Sequence, residues 1–362
     1  MLGIAAVNRL IAHLEQAALG RELAALRRCV ATLGPKPFRE RVDAVRDALL
    51  ADLPGDYAQF ATIVRDALRD PGFSGWLIAP VAEAVASRAL AAPQTGAFDD
   101  GLALLAELTP RLTAEFAIRP FLAADFDRAL PAVLAWTAHP DEHVRRLASE
   151  GTRPRLPWGK QIAAILARPD STLPILNALY RDPSEYVRRS VANHLNDLSR
   201  AHPDLVVRVA TGWLADPDEN TPRTVRHALR TLVKQGHPAA MALLGFAPLP
   251  GLVVTGPRLG ATTISFGGAL PFDFTLENRD DQPVLVAIDY IIYHQKANGT
   301  LSPKVFKLAT RTLAPGESAT IARKHAFKPI TTRVYYPGEH AIALQVNGQV
   351  IGRTTFHLGI PG

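Results

Sequence analysis

The sequence predicts an all-α solenoid of stacked two-helix repeats followed by a small all-β sandwich, on three observations. First, three segments restate one another: His139-Pro140-Asp141-Glu142-His143-Val144-Arg145-Arg146, Asp182-Pro183-Ser184-Glu185-Tyr186-Val187-Arg188-Arg189 and Asn220-Thr221-Pro222-Arg223-Thr224-Val225-Arg226-His227. Val144 to Val187 is 43 positions and Val187 to Val225 is 38, spacings typical of two-helix repeats of the HEAT and armadillo kind. Second, apolar residues recur at three and four from residue 1 to about 245, the period of helices with one buried face. Third, beyond about residue 260 the apolar period drops to two, the period of half-buried strands. The fold class is therefore an all-α HEAT-like repeat solenoid followed by an immunoglobulin-like β-sandwich.

In chain order, Ile11, Leu14 and Ala18, then Leu23, Leu26 and Val30, then Val42, Val45, Leu49 and Leu50 mark short helices, broken at Leu53-Pro54-Gly55 and Asp70-Pro71-Gly72. Each restated segment has a proline break or polar cap before its Val-Arg, so stacked units are expected to display their arginines as parallel rows on one face. A row of guanidiniums on a concave surface suits a polyanion. The Pro- and Gly-rich stretch from Gly245 to Gly260 separates domains expected at 1–248 and 249–362. In the second, Phe272, Phe274 and Leu276 alternate with Pro271, Asp273 and Thr275, and Val284, Val286, Ile288, Tyr290 and Ile292 alternate likewise. Val346-Asn347-Gly348-Gln349-Val350 signals a two-residue hairpin.

Composition bounds the function classes. The 362 residues are 48% hydrophobic and 20% charged, an ordinary globular balance, and the net charge of +6 permits nucleic-acid binding without demanding it. The single cysteine, Cys29, excludes an intrachain disulfide or a thiolate metal cluster and fits a reducing cytoplasm. No apolar run approaches the roughly 18 residues of a membrane span. Asn8 and Arg9 interrupt any signal-peptide pattern.

Chemistry concentrates between residues 143 and 160. On a helix opening near Asp141, Arg146 and Glu150 stand one turn apart, and Gly151 ends the helix just after the carboxylate. Arg153, Pro154, Arg155, Pro157, Trp158 and Lys160 follow in a stretch too polar for core. It reads either as a shaped loop over the concave face or as a surface loop beside an ordinary ion pair. In the next repeat Arg189, Asn193 and Asp197 form a stripe opposite Val187, Val191, Leu195 and Leu198. That stripe is either a solvated face or a wall of the same cleft, with Asp197 beside Glu150. Glu115 lies among apolar neighbours, where an acid needs a partner, and Arg119 stands four residues on.

Three stretches resemble the AlkC branch of bacterial alkylpurine DNA glycosylases: Thr113-Ala114-Glu115-Phe116-Ala117-Ile118-Arg119-Pro120-Phe121, the Val144 to Trp158 segment with its Ala148-Ser149-Glu150-Gly151-Thr152-Arg153-Pro154 core, and Val187 to Asp197. The related AlkD branch shares the repeats without an appended sandwich. The resemblance covers essentially the whole chain. It implies a monofunctional glycosylase of base excision repair that removes cationic methylated bases, 3-methyladenine and 3-methylcytosine, without flipping them into a pocket. Glu115, Glu150 and Asp197 would be its carboxylates, and Trp158 would pack against the lesion nucleotide's sugar. It also implies a sandwich that grips DNA from the minor-groove side.

Carboxylates repel DNA phosphates, so cations must hold the backbone. Candidates in the repeats are Arg145, Arg146, Arg153, Arg155, Lys160, Arg188, Arg189, Arg226 and Arg230. In the sandwich, His294, Lys296, Asn298 and Lys304 are expected on one loop, and Arg323, Lys324, His325 and Lys328 on another, either probing the groove or solubilising the surface. The expected partner is double-stranded DNA containing alkylated bases, bound by a cytoplasmic monomer with no obligate protein partner, no membrane, no cofactor and no metal. A non-catalytic HEAT-repeat scaffold for nucleic acid or protein is the alternative. A phosphate-binding loop at Gly159-Lys160 is excluded because position 154 is Pro where that motif has Gly.

Overall fold

A computed structural model describes residues 1–18, 20–53, 55–92, 96–246, 248–331 and 333–359. Pro54 of the expected Leu53-Pro54-Gly55 break and Ala247 beside the expected boundary lie outside the described residues. The chain divides into two compact units, Met1–Ala228 and Leu229–Gly362. No described helix is long and apolar enough to cross a membrane.

Among the described residues, the regular elements of the first unit are all helices. Its early helices bury the apolar stripes, with Leu10, Leu14, Leu26, Val45 and Leu49 at most 1% exposed. The three restated segments open the helices Glu142–Gly151, Glu185–Leu198 and Thr221–Ala228. The middle one packs against both others. Val144, Val187 and Val225 are each 0% exposed, so the restated valine is the repeat's core anchor. An acid organises each entry: Asp141 accepts from His143 N, Asp182 from Ser184 N, and Asp218 from Asn220 N and Thr221 N.

Arginine ties these repeats together. Arg145 donates to the carbonyls of His139 and Pro140 in its own entry turn and, bidentately, to Asp182 of the next repeat at 2.6 and 3.1 Å. Arg188 repeats the pattern one unit on, donating to the carbonyls of Asp182 and Pro183 and to Asn220 Oδ1.

Among its described residues the second unit holds eight strands: β1 (Leu252–Leu259), β2 (Thr263–Ser265), β3 (Ala269–Asn278), β4 (Val284–Gln295), β5 (Leu301–Leu313), β6 (Ser318–Ala326), β7 (Gly338–Val346) and β8 (Gln349–Gly359). One sheet is ordered β1-β3-β6 and the other β2-β8-β7-β4-β5, with every pairing antiparallel except β2 with β8. Leu270, Phe274, Ile288, Ile292, Phe327, Ile342 and Leu344 fill the space between them. β3 alternates buried and half-buried residues without a break, as its sequence predicts. β4 does not, because Ala287 on its other face packs with Met241 and Phe246 from the preceding helical segment. Asn347 and Gly348 turn β7 into β8 with φ of 43° and 80°, the two positive values a type I′ hairpin turn requires.

Candidate active site

The site grows from the end of one helix. Asp141 caps the Glu142–Gly151 helix, Val144, Leu147 and Ala148 bury its inner face, and Glu150 arrives at its last turn. Gly151 packs so closely on Ile118 that a Cβ would come within 2.6 Å of the Ile118 Cγ2, so the helix cannot carry a side chain there without shifting. In the neighbouring Glu185–Leu198 helix, Val187, Val191 and Leu195 are fully buried and set Ser190 and Asp197 toward Glu150.

Five charged side chains then form one chain of ion pairs. Arg146 Nη1 lies 2.7 Å from Glu115 Oε2, and Arg146 Nη2 lies 3.4 Å from Glu150 Oε1. Arg153 Nη1 meets Glu150 Oε1 at 2.7 Å, and Arg153 Nε meets Asp197 Oδ2 at 2.9 Å. Ser190 Oγ donates to Glu150 Oε2 at 2.6 Å, and Thr113 Oγ1 donates to Glu115 Oε2 at 3.0 Å. All five charged side chains are at most 14% exposed. Three carboxylates meet two guanidiniums within this chain of ion pairs, and the buried Arg119 guanidinium acts on Glu115 and Asp197 as a third positive charge.

The two inner carboxylates differ electrostatically. Burial alone would raise Glu150, but Arg146, Arg153 and the Ser190 hydroxyl together hold it below the usual carboxylate range. Asp197 goes the other way: burial pushes it up further than Arg153 and the Arg155 backbone amide pull it down. Beneath them His194 is fully enclosed, hydrogen-bonded at 3.0 Å to Ser149 O and at 3.1 Å to Thr172 Oγ1, and burial pushes it down to about 4. It is a neutral structural ring.

From Gly151 the chain enters a short irregular segment that carries Arg153 into the ion pairs and Trp158 into solvent. The Trp158 indole is 93% exposed, and its backbone sits at φ 63°. For a bulky residue that left-handed conformation costs roughly 1–3 kcal/mol, a strain that concentrates at functional sites. An exposed tryptophan in a strained turn contributes nothing to a core.

Comparisons with known proteins find relatives over both parts of the chain. A model of the DNA alkylation repair enzyme family matches residues 112–232, a span that contains all five charged residues and Trp158. A model of the C-terminal immunoglobulin-like domain of the uncharacterised protein YhaZ matches residues 253–360. The chain is 39% identical over 316 residues to YhaZ of Bacillus subtilis strain 168, covering 86% of this chain and 85% of that one. It is similar to the solved structure of Pseudomonas fluorescens alkylpurine DNA glycosylase AlkC bound to DNA containing an abasic site analog. That match has a TM-score of 0.88 at 35% identity, over 99% of this chain and 98% of the other. The chain belongs to the AlkC-type DNA alkylation repair family.

In this AlkC-type chain the carboxylates singled out in the sequence, Glu115, Glu150 and Asp197, lie together, while Trp158 stands outside their hydrogen bonds. The partner expected for Glu115 needs correction. Arg119 lies on the i,i+4 spacing, but that argument requires a helix, and residues 115–118 form a turn, with helix beginning only at Arg119. Glu115 therefore pairs with Arg146, and Arg119 turns inward onto backbone carbonyls. The stripe of the second repeat also divides: Arg189 is exposed and pairs with Glu185, Asn193 bonds His227, and Asp197 is buried.

The cations fall into three groups. Arg145 and Arg188 are committed to the repeat ladder, and Arg146 and Arg153 to the carboxylates. Arg155, Lys160, Arg189 and Arg226 are exposed on the first unit, whereas Arg230 is half-buried in the second. In the second unit most residues of the two expected loops lie in strands: His294 is the penultimate residue of β4, Lys304 lies in β5, and Arg323, Lys324 and His325 lie in β6, because these strands run on through the positions expected to turn. Lys296, Asn298 and Lys328 do fall in turns and connections, and these with Lys304, Arg323 and Lys324 are exposed. His294 is 7% exposed among aromatic rings, and burial, then Arg333, pushes it down to about 3. Neutral and enclosed, it has no charge to offer a phosphate.

Sequence reasoning missed Ser190, Thr113 and Tyr186. Tyr186 lies under the Arg146 guanidinium at 4.7 Å and is 40% exposed. Its only signal was a position immediately before the restated valine.

Proposed function

We propose that this chain is a monofunctional DNA glycosylase that hydrolyses the N-glycosidic bond of cationic alkylated bases, 3-methyladenine and 3-methylcytosine, in double-stranded DNA. The observation that carries the reading is the buried, ion-paired carboxylate set Glu115, Glu150 and Asp197 in a chain of the alkylation repair family.

The chemistry asks for such a set. A base methylated at N3 is already positively charged, so it leaves as a neutral molecule and needs little general-acid help. The barrier lies in the oxocarbenium ion that develops on the deoxyribose. At an effective dielectric near 20, a carboxylate ~4 Å from a unit positive charge interacts by about 4 kcal/mol. If half of that is gained only on reaching the transition state, the rate rises roughly thirtyfold.

The two inner acids divide the work. Glu150, held ionised by its neighbours, is the electrostatic stabiliser. Asp197, raised by burial, is the better proton acceptor for the attacking water. The Trp158 indole packs on the sugar, where a cation-π contribution of roughly 0.5–2 kcal/mol is available. Because this set addresses the sugar, the base need not enter a pocket. Exposed Arg155, Lys160, Arg189 and Arg226 meet phosphates on the repeat unit, and Lys296, Lys304, Arg323 and Lys324 meet them on the sandwich. The protein acts as a monomer.

The test is base release from methylated duplex DNA by the purified full chain, separated by chromatography, against untreated duplex. Release of free 3-methyladenine with an intact sugar-phosphate backbone is the expected result. DNA binding without release would leave a repeat scaffold in place of an enzyme, and strand scission would exclude a monofunctional hydrolase.

A further inference from the structure

The segment that carries Trp158 is held from inside by one side chain. Arg119 is 4% exposed and donates four hydrogen bonds, all to backbone carbonyls: Nη1 to Gly151 O at 2.9 Å and Arg153 O at 3.0 Å, Nε and Nη2 to Lys160 O at 2.9 and 2.6 Å. Gly151 O and Arg153 O lie where the segment leaves the Glu142–Gly151 helix, and Lys160 O lies where it ends. A planar guanidinium fork can reach all three carbonyls at once, while an ammonium cannot. The same bonds satisfy a carbonyl at the helix C-terminus and place a positive charge there, both favourable. Gly159 closes the seat: a Cβ on it would come within 3.2 Å of Arg119 Nε and 3.1 Å of Leu156 Cβ.

What this seat holds is the reacting apparatus. Between its two anchored ends the segment sends Arg153 into Glu150 and Asp197 and holds Trp158 in its left-handed turn. Strain of that kind persists only where surrounding bonds over-determine the backbone.

We propose that Arg119 is a positioning residue for base excision, fixing both ends of the 151–160 segment so that Arg153 meets the carboxylates and Trp158 stands ready for the sugar. The inference rests on the glycosylase reading for its kinetic part and on geometry alone for its structural part.

The experiment uses the full-length chain with Arg119→Lys and Gly159→Ala, which disturb the seat from opposite sides, and with Trp158→Ala alone and added to each. Trypsin cleavage after Arg155 and Lys160 reads the segment without any activity, and single-turnover release of 3-methyladenine reads the reaction. Cleavage at those two sites is expected to quicken at least tenfold in Arg119→Lys, and excision to slow at least tenfold, with duplex affinity within threefold of the unsubstituted chain. Gly159→Ala is expected to move both readouts the same way by at least threefold, and it decides the matter if Arg119→Lys does not fold. Adding Trp158→Ala should slow either variant by less than its effect alone, since all three act on one unit. Full protection from trypsin in both variants, or a loosened segment with the original excision rate, overturns the proposal. Additive effects of Trp158→Ala overturn it as well. If the unsubstituted chain releases no base, the glycosylase reading fails, and trypsin alone then decides whether Arg119 holds the segment.

Discussion

The Ser190 hydroxyl reaches across from one repeat to the next and donates to Glu150 Oε2 at 2.6 Å, while Arg153 occupies the other oxygen. Both oxygens of a buried acid are thereby engaged in its ionised form, and Glu150 stays below the ordinary carboxylate range. Its proposed role is the negative charge itself. Glu150→Gln and Asp197→Asn are each expected to lower single-turnover excision at least tenfold, or about 1.4 kcal/mol of transition-state stabilisation. Affinity for the duplex should stay within a few-fold or improve, because one phosphate-repelling charge is gone. Excision at the unsubstituted rate in both variants would refute the assignment.

Arg145 and Arg146 are neighbours in sequence with separate tasks, and variants can tell them apart. Arg145 is bidentate to Asp182, whose side chain is 3% exposed. Removing either partner strands a charge, at a cost of about 3 kcal/mol. Asp182→Ala and Arg145→Met are therefore expected to lower the urea midpoint markedly, while the salt dependence of duplex binding stays as it was. Arg155→Ala should do the reverse, lowering the slope of log affinity against log salt by about 0.9 per lost phosphate contact and leaving stability alone. A reduced slope in Arg145→Met with normal stability would return Arg145 to the DNA surface.

The division between what was legible and what was not follows from this. Val144, Val187 and Val225 announced the repeats because core positions must recur wherever the packing recurs. β3 announced itself because one face meets the core and the other does not. Arginines are long and meet several kinds of acceptor, so a Val-Arg-Arg string does not say which guanidinium turns sideways to the next repeat and which turns into the cluster. Glu115 was matched to Arg119 by assuming a helix through residues 115–118, and a turn there points the two apart. The seat that Arg119 makes left no periodic trace, since carbonyls of any residue type can accept.

The second unit should be acid-sensitive. Burial pushes His294 down to about 3 and His325 down to about 4, and it lowers His340 also. An unfolded histidine titrates near 6.5, so below that pH the unfolded chain takes up protons that these folded rings refuse. Their contribution to stability is complete above about pH 6.5 and declines as pH falls, by up to about 1.4 kcal/mol per pH unit for each ring. Asp289, which burial raises to about 6, opposes them, because its folded form gains a proton between about pH 6 and 4. Three rings outweigh one acid. The transition involving the sandwich is expected to fall in temperature from pH 7.5 to pH 5, and His325→Phe should flatten that dependence. A melting temperature indifferent to pH over that range would contradict the burial of these rings.

Selectivity should follow the charge of the leaving group and not the shape of the base. The proposed site presents acids and one indole to the sugar, so it stabilises what remains after the base has gone, and it does so equally for any base that departs. Discrimination then comes from how readily the bond breaks unaided and from how easily the damaged pair distorts. Bases methylated at N3 or N7 carry a positive charge that weakens the glycosidic bond, whereas uracil must leave as an anion, so its bond breaks far less readily unaided. Among the cationic lesions, 3-methylcytosine and 3-methyladenine should be released fastest, because their methyl groups disturb the pairing edge or the minor groove. Competition assays on duplexes carrying one lesion each should show release of both, slower release of N7-methylated guanine, and none of uracil. Efficient uracil release, or equal rates for neutral and cationic lesions, would demand a pocket that reads the extruded base, and the carboxylate set would then have to be assigned to something other than the sugar cation.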